Sequence, residues 1–304
     1  MADQISPPAV IGFIGLGNMG SPMARRLLAA GYNVLAHDAN AANLQHFCEQ
    51  NNCQAVNAPA ALGESCDVVI TMLPDGGIVR KVLVDGGVVK SMRPGSVVVD
   101  MSSSSPVGTR KLSAEMKLAG IPLVDAPVSG GVKKAVEGTL AIMAGGEASE
   151  IERIRKLLET MGTVFLAGDS GSGHAMKALN NYLSAGTLAM TAEAILAGSR
   201  FGLEPARMVD ILNASTGRST ASEHKFPAFI LPRTFDSGFA LGLMAKDLRL
   251  AEEIALTCDT PAELLTCLTS IYNRAEEQLG FSADNTDVFR YLESITGDSE
   301  DERN

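Results

Sequence analysis

Tryptophan is absent from the sequence and tyrosine occurs only four times. An aromatic cage for a methylated ammonium group therefore has little to be built from. Cysteine is sparse and odd in number: Cys48, Cys53, Cys66, Cys258 and Cys267. No C-x-x-C and no Cys/His ligand spacing occurs. The five read as reduced thiols of a cytosolic protein, and no metal site is expected; a metal or redox role for Cys48 and Cys53 is the alternative. No apolar run reaches membrane-spanning length. The opening MADQISPPA has neither an apolar core nor an Arg-rich amphipathic pattern, so it reads as a short tail and not a targeting segment. Positive charge is also in deficit: 25 Lys and Arg stand against 35 Asp and Glu, a net charge of -10. That balance repels phosphate backbones and anionic lipid, so neither nucleic acid nor a membrane is an expected partner. An anionic substrate would need local cations, and those should be findable.

What is present is enough chain, 304 residues at 46% hydrophobic, for two domains with a sizeable core. In the first half, short segments rich in Val, Ile and Leu alternate with helix-length stretches. Strands are predicted at Val10–Ile14, Asn33–His37, Asp67–Leu73, Ser96–Asp100 and Pro122–Ala126, with two more at Thr139–Ala144 and Thr163–Leu166. Helices are predicted between them, at Met19–Ala30 and Ser105–Ala119 among others. Such alternation implies βαβ units, a parallel sheet and helices on both of its faces.

The pattern changes near Ser170. Ala175–Ser199 is full of Ala, Leu and Met, with no Pro, and predicts one long helix that is apolar nearly all round and so buried on most sides. Further helices are predicted at Pro205–Asn213, Leu241–Thr257, Glu263–Leu279 and Asp287–Ser294, followed by a solvated tail, GDSEDERN. The reading is an α/β nucleotide-binding domain over residues 1–169, joined by the long helix to an all-α domain over residues 170–304.

Gly15-Leu16-Gly17-Asn18-Met19-Gly20 is a G-x-G-x-x-G, weak alone but here preceded by an apolar strand and followed by an amphipathic helix. Gly15 permits the tight turn, Gly17 admits a pyrophosphate to the backbone, and Gly20 lets helix and strand pack closely. The N–H groups at the helix start would face the phosphates. This is the Rossmann-type fingerprint. Asp38 follows Gly20 by 18 residues, where an acidic side chain accepts from the adenosine ribose hydroxyls. Its charge would repel a 2′-phosphate, and Ala39, Asn40 and Ala41 supply no cation to hold one, so NAD is favoured over NADP. A helix-capping role for Asp38 is the alternative, and the two can coexist.

Three later stretches carry polar groups with chemical potential. Asp125-Ala-Pro-Val-Ser129-Gly130-Gly131 ends a strand and exposes a hydroxyl and backbone N–H groups, suited to a carboxylate. Lys133 and Lys134 follow it. Gly171-Ser-Gly173-His174-Ala-Met-Lys177-Ala-Leu-Asn180-Asn181 opens the long helix. Lys177 and Asn181 are four apart and share a helix face. A lysine on a buried helix is costly unless paired or functional, and desolvation would bring its pKa toward neutrality. A snorkelling surface lysine is the plain alternative. Phe239-x-x-x-Leu243-x-x-Lys246-Asp247-Leu248 places a third lysine before an apolar helix face; an exposed Lys–Asp pair is the plain reading.

Taken together, GFIGLGNMGSPMARRLLAAGY, DAPVSGGVKKAVEGTL, GSGHAMKALNN, AEAILAGSRFGLEP and FALGLMAKDL resemble the β-hydroxyacid dehydrogenase family over nearly the whole chain. The resemblance implies hydride transfer between a nicotinamide and a short hydroxy acid or its semialdehyde. It makes Lys177 the acid/base and Asn181 the residue that orients the substrate. It gives Ser129, Gly130 and Gly131 the substrate carboxylate, and Lys246 a contact with cofactor or substrate. It assigns the phosphate loop Gly15, Leu16, Gly17, Asn18, Met19 and Gly20, with Asp38, Leu73, Pro74 and Ser103, to the dinucleotide. Ser103 stands where the family has Thr, so a hydroxyl survives. Lys134 stands where the family often has Gly; it faces either the site or water. Arg218, in Asn213-Ala-Ser-Thr-Gly217-Arg218-Ser219, falls at the rim of the site or in a plain helix-terminal loop. The alternatives are an imine reductase-like enzyme, against which the resemblance sets Lys177, and a nucleotide-binding module without catalysis. A homodimer or homotetramer that covers the apolar long helix is expected.

Overall fold

The computed structural model describes residues 4–297. The first three residues of the expected N-terminal tail, and all but the first residue of the expected C-terminal one, lie outside them. The chain divides into two compact units, Met1–Lys177 and Ala178–Asn304, so the division falls inside the long helix.

In the first unit nine strands form one sheet: β1 Val10–Ile14, β2 Asn33–His37, β3 Gln54–Ala55, β4 Val68–Thr71, β5 Val97–Asp100, β6 Leu123–Asp125, β7 Val128–Ser129, β8 Leu140–Gly145 and β9 Gly162–Gly168. Their order is β3-β2-β1-β4-β5-β6-β8-β7, with β9 beside β8. From β3 to β6 every pairing is parallel, in register Ile11↔Val34 and Ile11↔Val68 at the centre. Central β4 (VVIT) and most of β5 (VVVD) are apolar and buried at all four positions, because helices cover both faces of the sheet. The expected parallel sheet is present from β3 to β6, and beyond it β8 runs antiparallel to both β6 and β7. Only residues 130–139, with the short segment 131–137 helical, lead from β7 into β8, less than the dozen or more that a parallel crossover needs.

The α-helices described in this unit are α1 Gly20–Ala29, α2 Ala41–Asn51, α3 Pro59–Ser65, α4 Gly76–Arg80, α5 Val88–Ser91, α6 Pro106–Leu118, α7 Gly131–Glu137 and α8 Ala148–Glu159, and a short π-helix, Lys81–Asp85, continues α4. Ile11 and Phe13 of β1 pack with Met23 and Leu27 of α1 in one core cluster, whereas Ile14 joins Leu62, Leu83 and Met116 in another. Alternation along a strand feeds two faces in this way.

The long helix is α9 Ser172–Phe201, roughly 45 Å at about 1.5 Å per residue. Its continuation carries the second unit, with α10 Pro205–Asn213, a π-helix Ala221–Ile230, α11 Leu241–Thr257, α12 Glu263–Leu279 and α13 Val288–Gly297. Ala178, Ala185, Leu188, Ala192 and Ile195 of α9 form a core with Phe226, Leu248 and Tyr272. Small side chains there let neighbouring helices approach. The sequence predicted burial on most sides; instead Leu183 is 64% and Met190 62% exposed on α9.

Candidate active site

The phosphate loop follows β1, whose neighbours β2 and β4 lie on opposite sides of it. That reversal of strand order is where open α/β sheets bind their ligands. Gly15 has a φ of +101°, and a Cβ there would sit 2.3 Å from the Met72 carbonyl oxygen. A Cβ on Gly20 would meet the Gly15 oxygen at 1.8 Å, so both positions demand glycine. At Gly17 a Cβ would meet nothing within 4 Å, so this backbone lies open to an approaching group. No side chain caps α1. Ser21 N–H is taken by the Gly17 carbonyl, Met23 N–H by that of Met19, and Pro22 has none, so α1 offers an anion the positive end of its dipole more than a set of open N–H groups. Leu16, Gly17, Asn18, Ser21, Arg25 and His46 border a cavity of about 330 Å³ beside the loop.

Asp38 ends β2 in the expected place. Its Oδ2 accepts from Leu16 N–H at 2.6 Å and its Oδ1 from Asn40 N–H at 2.7 Å. The helix-capping alternative passes to Asn40, whose side chain caps α2 through Ala42 and Asn43 N–H. Asp38 thus braces the phosphate loop, and each oxygen keeps a lone pair for a ribose hydroxyl. These residues fit a nicotinamide dinucleotide.

A second cluster lies at the ends of β5 and β6. Asp100 accepts from Thr71 Oγ1 at 2.9 Å, Ser104 Oγ at 2.8 Å and Ser102 N–H at 3.0 Å. Ser102 Oγ in turn accepts from Leu73 N–H at 2.9 Å, which ties the Leu73–Pro74 loop to this cluster. Ser102 and Ser104 are buried while Ser103 between them is half-buried. Asp125 is fully buried, and its carboxylate accepts Gly171 N–H at 2.7 Å and His174 N–H at 2.9 Å. A strand-end carboxylate thereby caps the start of α9. Gly173 is required beside it, since a Cβ would stand 2.2 Å from the Met143 oxygen. Burial raises the Asp125 carboxyl above its ordinary value, against the pull of His174 and the two N–H donors. The buried His174 ring bonds Thr109 Oγ1 through Nδ1 at 2.8 Å and the Ser102 carbonyl through Nε2 at 3.0 Å. A carbonyl only accepts, so Nε2 carries a proton.

Lys177 follows one turn after this anchored start and is half-buried. Ser129 ends β7, half-buried, and Gly130 and Gly131 follow at φ +138° and +70°. Two consecutive positive φ values turn the backbone sharply there. The Lys134 stem folds back over Gly130, and its side chain is exposed, as is that of Lys133.

In the second unit Asn181 is buried, and its Nδ2 donates to Asp247 Oδ2 at 2.6 Å. Lys246 Nζ lies 3.3 Å from Asp247 Oδ1, with Lys246 mostly covered. The buried Asp247 thus fixes both residues, so Lys246–Asp247 is no exposed pair. Arg218 is exposed and lies 3.5 Å from Glu223. Cys53 and Cys48 stand 2.9 Å apart as free thiols; burial and the neighbouring sulfur push the Cys53 thiol up to about 12, which leaves it protonated at neutral pH. Sequence reasoning missed Asp100, His174 and the buried Lys225. The only signal was their type: charged or imidazole side chains in apolar surroundings.

Comparison with known proteins covers both units. Residues 10–168 match the family model described as the NAD binding domain of 6-phosphogluconate dehydrogenase. Residues 171–292 match that described as NAD-binding of NADP-dependent 3-hydroxyisobutyrate dehydrogenase. The chain is 40% identical over 289 residues to a 2-(hydroxymethyl)glutarate dehydrogenase of Eubacterium barkeri, covering 94% of this chain and 96% of that one. It is 36% identical to the mitochondrial 3-hydroxyisobutyrate dehydrogenase of Mus musculus, over 93% of this chain and 86% of the other. Among solved structures, a 3-hydroxyisobutyrate dehydrogenase of Mycobacterium tuberculosis with L-serine aligns at a TM-score of 0.87 and 32% identity, over 93% of this chain and 99% of that one.

Proposed function

Because the chain belongs to the β-hydroxyacid dehydrogenase family, NAD(P)-dependent oxidoreductases acting on CH–OH groups, we propose that it oxidises a short β-hydroxy acid to its semialdehyde, or runs the reverse reaction, with NAD as the preferred cofactor. The bound nicotinamide supplies the hydride acceptor. Lys177, as a free amine, takes the proton of the substrate hydroxyl; as an ammonium it returns a proton to the aldehyde oxygen in reduction and stabilises charge developing there. Asn181 orients the substrate with its amide held by Asp247. Ser129 and the N–H groups of Gly130 and Gly131 take the carboxylate. Gly15, Leu16, Gly17, Asn18, Met19, Gly20 and Asp38 hold the adenosine and pyrophosphate, with Leu73, Pro74 and Ser103 toward the nicotinamide, and Lys246 reaches cofactor or substrate.

One observation supports this most: the start of α9 is fastened by a buried carboxylate three residues before Lys177, which fixes the turn that carries the amine. The preference for NAD is supported by the Asp38 carboxylate beside the phosphate loop, whose charge opposes a 2′-phosphate. Substrates in view are 3-hydroxyisobutyrate and 2-(hydroxymethyl)glutarate, named for relatives, with tartronate semialdehyde, succinic semialdehyde and glyoxylate as alternatives. A cytoplasmic homodimer or homotetramer is part of the same reading. The deciding experiment is a panel of these compounds assayed with NAD(H) and NADP(H) separately, by absorbance of the reduced nicotinamide. Turnover of at least one hydroxy acid, faster with NAD, is expected; a panel with no turnover would overturn the reading.

A further inference from the structure

His174 is buried in the first turn of α9, and the reaction proposed above gives its ring no part. Packing alone would be met by an apolar side chain, since a buried imidazole is costly unless both nitrogens are bonded. Here each polar group of the residue meets a different element. Its backbone N–H donates to Asp125 Oδ2 at the end of β6, at 2.9 Å. Ring Nδ1 meets Thr109 Oγ1 of α6 at 2.8 Å, and Nε2 donates to the Ser102 carbonyl, two residues past β5, at 3.0 Å. The Asp100 and Asp125 carboxylates stand 3.6 and 3.9 Å from the ring nitrogens. The Thr109 hydroxyl can donate to a neutral ring or accept from a charged one, so the bond to Ser102 survives in both states.

Ser102 carries the link onward. Its N–H donates to Asp100 Oδ1 at 3.0 Å, and its Oγ accepts from Leu73 N–H, two residues past β4, at 2.9 Å. A continuous path of hydrogen bonds therefore runs from the Leu73–Pro74 loop through Ser102 to the first turn of α9. All of it lies in the first unit. Strands β4, β5 and β6 are parallel neighbours, so the path crosses their carboxyl ends, the edge where such sheets bind ligands. Lys177 follows His174 by three residues, about 4.5 Å along the helix axis.

We propose that His174 is a positioning residue: through Ser102 it sets the Leu73–Pro74 loop, and with it the nicotinamide end of the dinucleotide, against the turn that carries Lys177. The inference rests on the hydride-transfer reading, in which that loop faces the nicotinamide. Transfer of a hydride tolerates little error in placement, and a displacement of about 1 Å can cost about 10²-fold in rate.

Two ligands test this, because ADP-ribose has the adenosine and pyrophosphate of NADH and lacks the nicotinamide. In His174→Ala, NADH affinity measured by fluorescence titration should fall about tenfold, while ADP-ribose affinity measured by calorimetry stays within about twofold. With a hydroxy acid that the unaltered protein oxidises, kcat should fall about 10²-fold. His174→Gln offers an N–H donor to the Ser102 carbonyl and an oxygen to Thr109, and should recover most of both losses. Ser102→Ala breaks the path at its far end with His174 in place. It should weaken NADH and spare ADP-ribose in the same way, and combining it with His174→Ala should cost little more than either alone. If His174→Ala does not fold, Ser102→Ala and His174→Gln decide the matter. If NADH and ADP-ribose weaken together, or if NADH binding and kcat are unaltered in Ser102→Ala, His174 is a core brace and the proposal is overturned. If no hydroxy acid is oxidised yet the variants weaken NADH and spare ADP-ribose, the link stands and the hydride-transfer reading is what fails. If the unaltered protein turns over a hydroxy acid and the variants treat the two ligands alike, the link fails and the reaction stands.

Discussion

In the proposed reaction single side chains carry most of the chemistry. Replacing Lys177 by Ala should lower kcat by about 10²–10⁴, the range for loss of a general acid/base, while NADH affinity measured by fluorescence titration stays near the unaltered value. Near-normal turnover would remove Lys177 from the mechanism. Asp38→Asn should raise KM for NADH by about tenfold and move the NADH/NADPH preference toward NADPH, since one charge-assisted acceptor and one repulsive charge are lost together. An unchanged ratio of the two kcat/KM values would assign Asp38 to loop bracing alone. Lys225 bears on stability. Its folded-state pKa, about 8, lies below the ordinary 10.5. Below pH 8 both states hold the proton and the cost of burying the charge is fully present. Between pH 8 and 10.5 only the unfolded chain keeps the proton, so the contribution of Lys225 becomes less unfavourable as pH rises. The stability difference between the unaltered protein and Lys225→Met, measured by urea unfolding, should therefore shift in favour of lysine from pH 8 to pH 10; a shift the other way would contradict the burial argument. The glycines and Asp38 could be read from the sequence because backbone strain and spacing restrict their types. His174 and Lys225 could not, since their partners Thr109, Ser102 and Asn285 lie 60 or more residues away.

At the scale of elements, the decisive device is a carboxylate on one element holding another. Asp125→Ala would leave Gly171 and His174 N–H buried without partners, at a cost of about 2–4 kcal/mol. Urea unfolding should show that loss, and kcat should fall as well because the turn bearing Lys177 is no longer held. A variant with unchanged stability would show that the N–H groups find other acceptors. The long helix and the seven longer strands could be read from composition, because runs such as VVIT and VVVD have no other use for so many β-branched residues. The two-residue strands β3 and β7 are too short for periodicity to register. The π-helix Ala221–Ile230 was hidden by Pro227 and by the Gly217-Arg218-Ser219 stretch before it, both of which read as a loop.

At the scale of the whole molecule, the expectation that α9 is apolar nearly all round meets a surface on which Met176, Leu179, Leu183 and Met190 remain exposed. Four large apolar side chains at positions 176, 179, 183 and 190 form a stripe that water covers poorly. Light scattering should give a mass of two or four chains, and the pair Leu183→Glu and Met190→Glu should shift it toward one. A monomeric unaltered protein would end that reading. Within the first unit, Asp125 has a longer-range effect. Four residues along the chain from it stands Ser129, and three residues beyond the His174 N–H that it accepts stands Lys177. In the proposed reaction, the carboxylate cradle and the amine would thus be measured off from a single anchor point, like two marks on a ruler. If the two residues act as proposed, disturbing that anchor in Asp125→Ala should shift the grip on the carboxylate and the transfer of the proton together, so that KM and kcat change in the same variant.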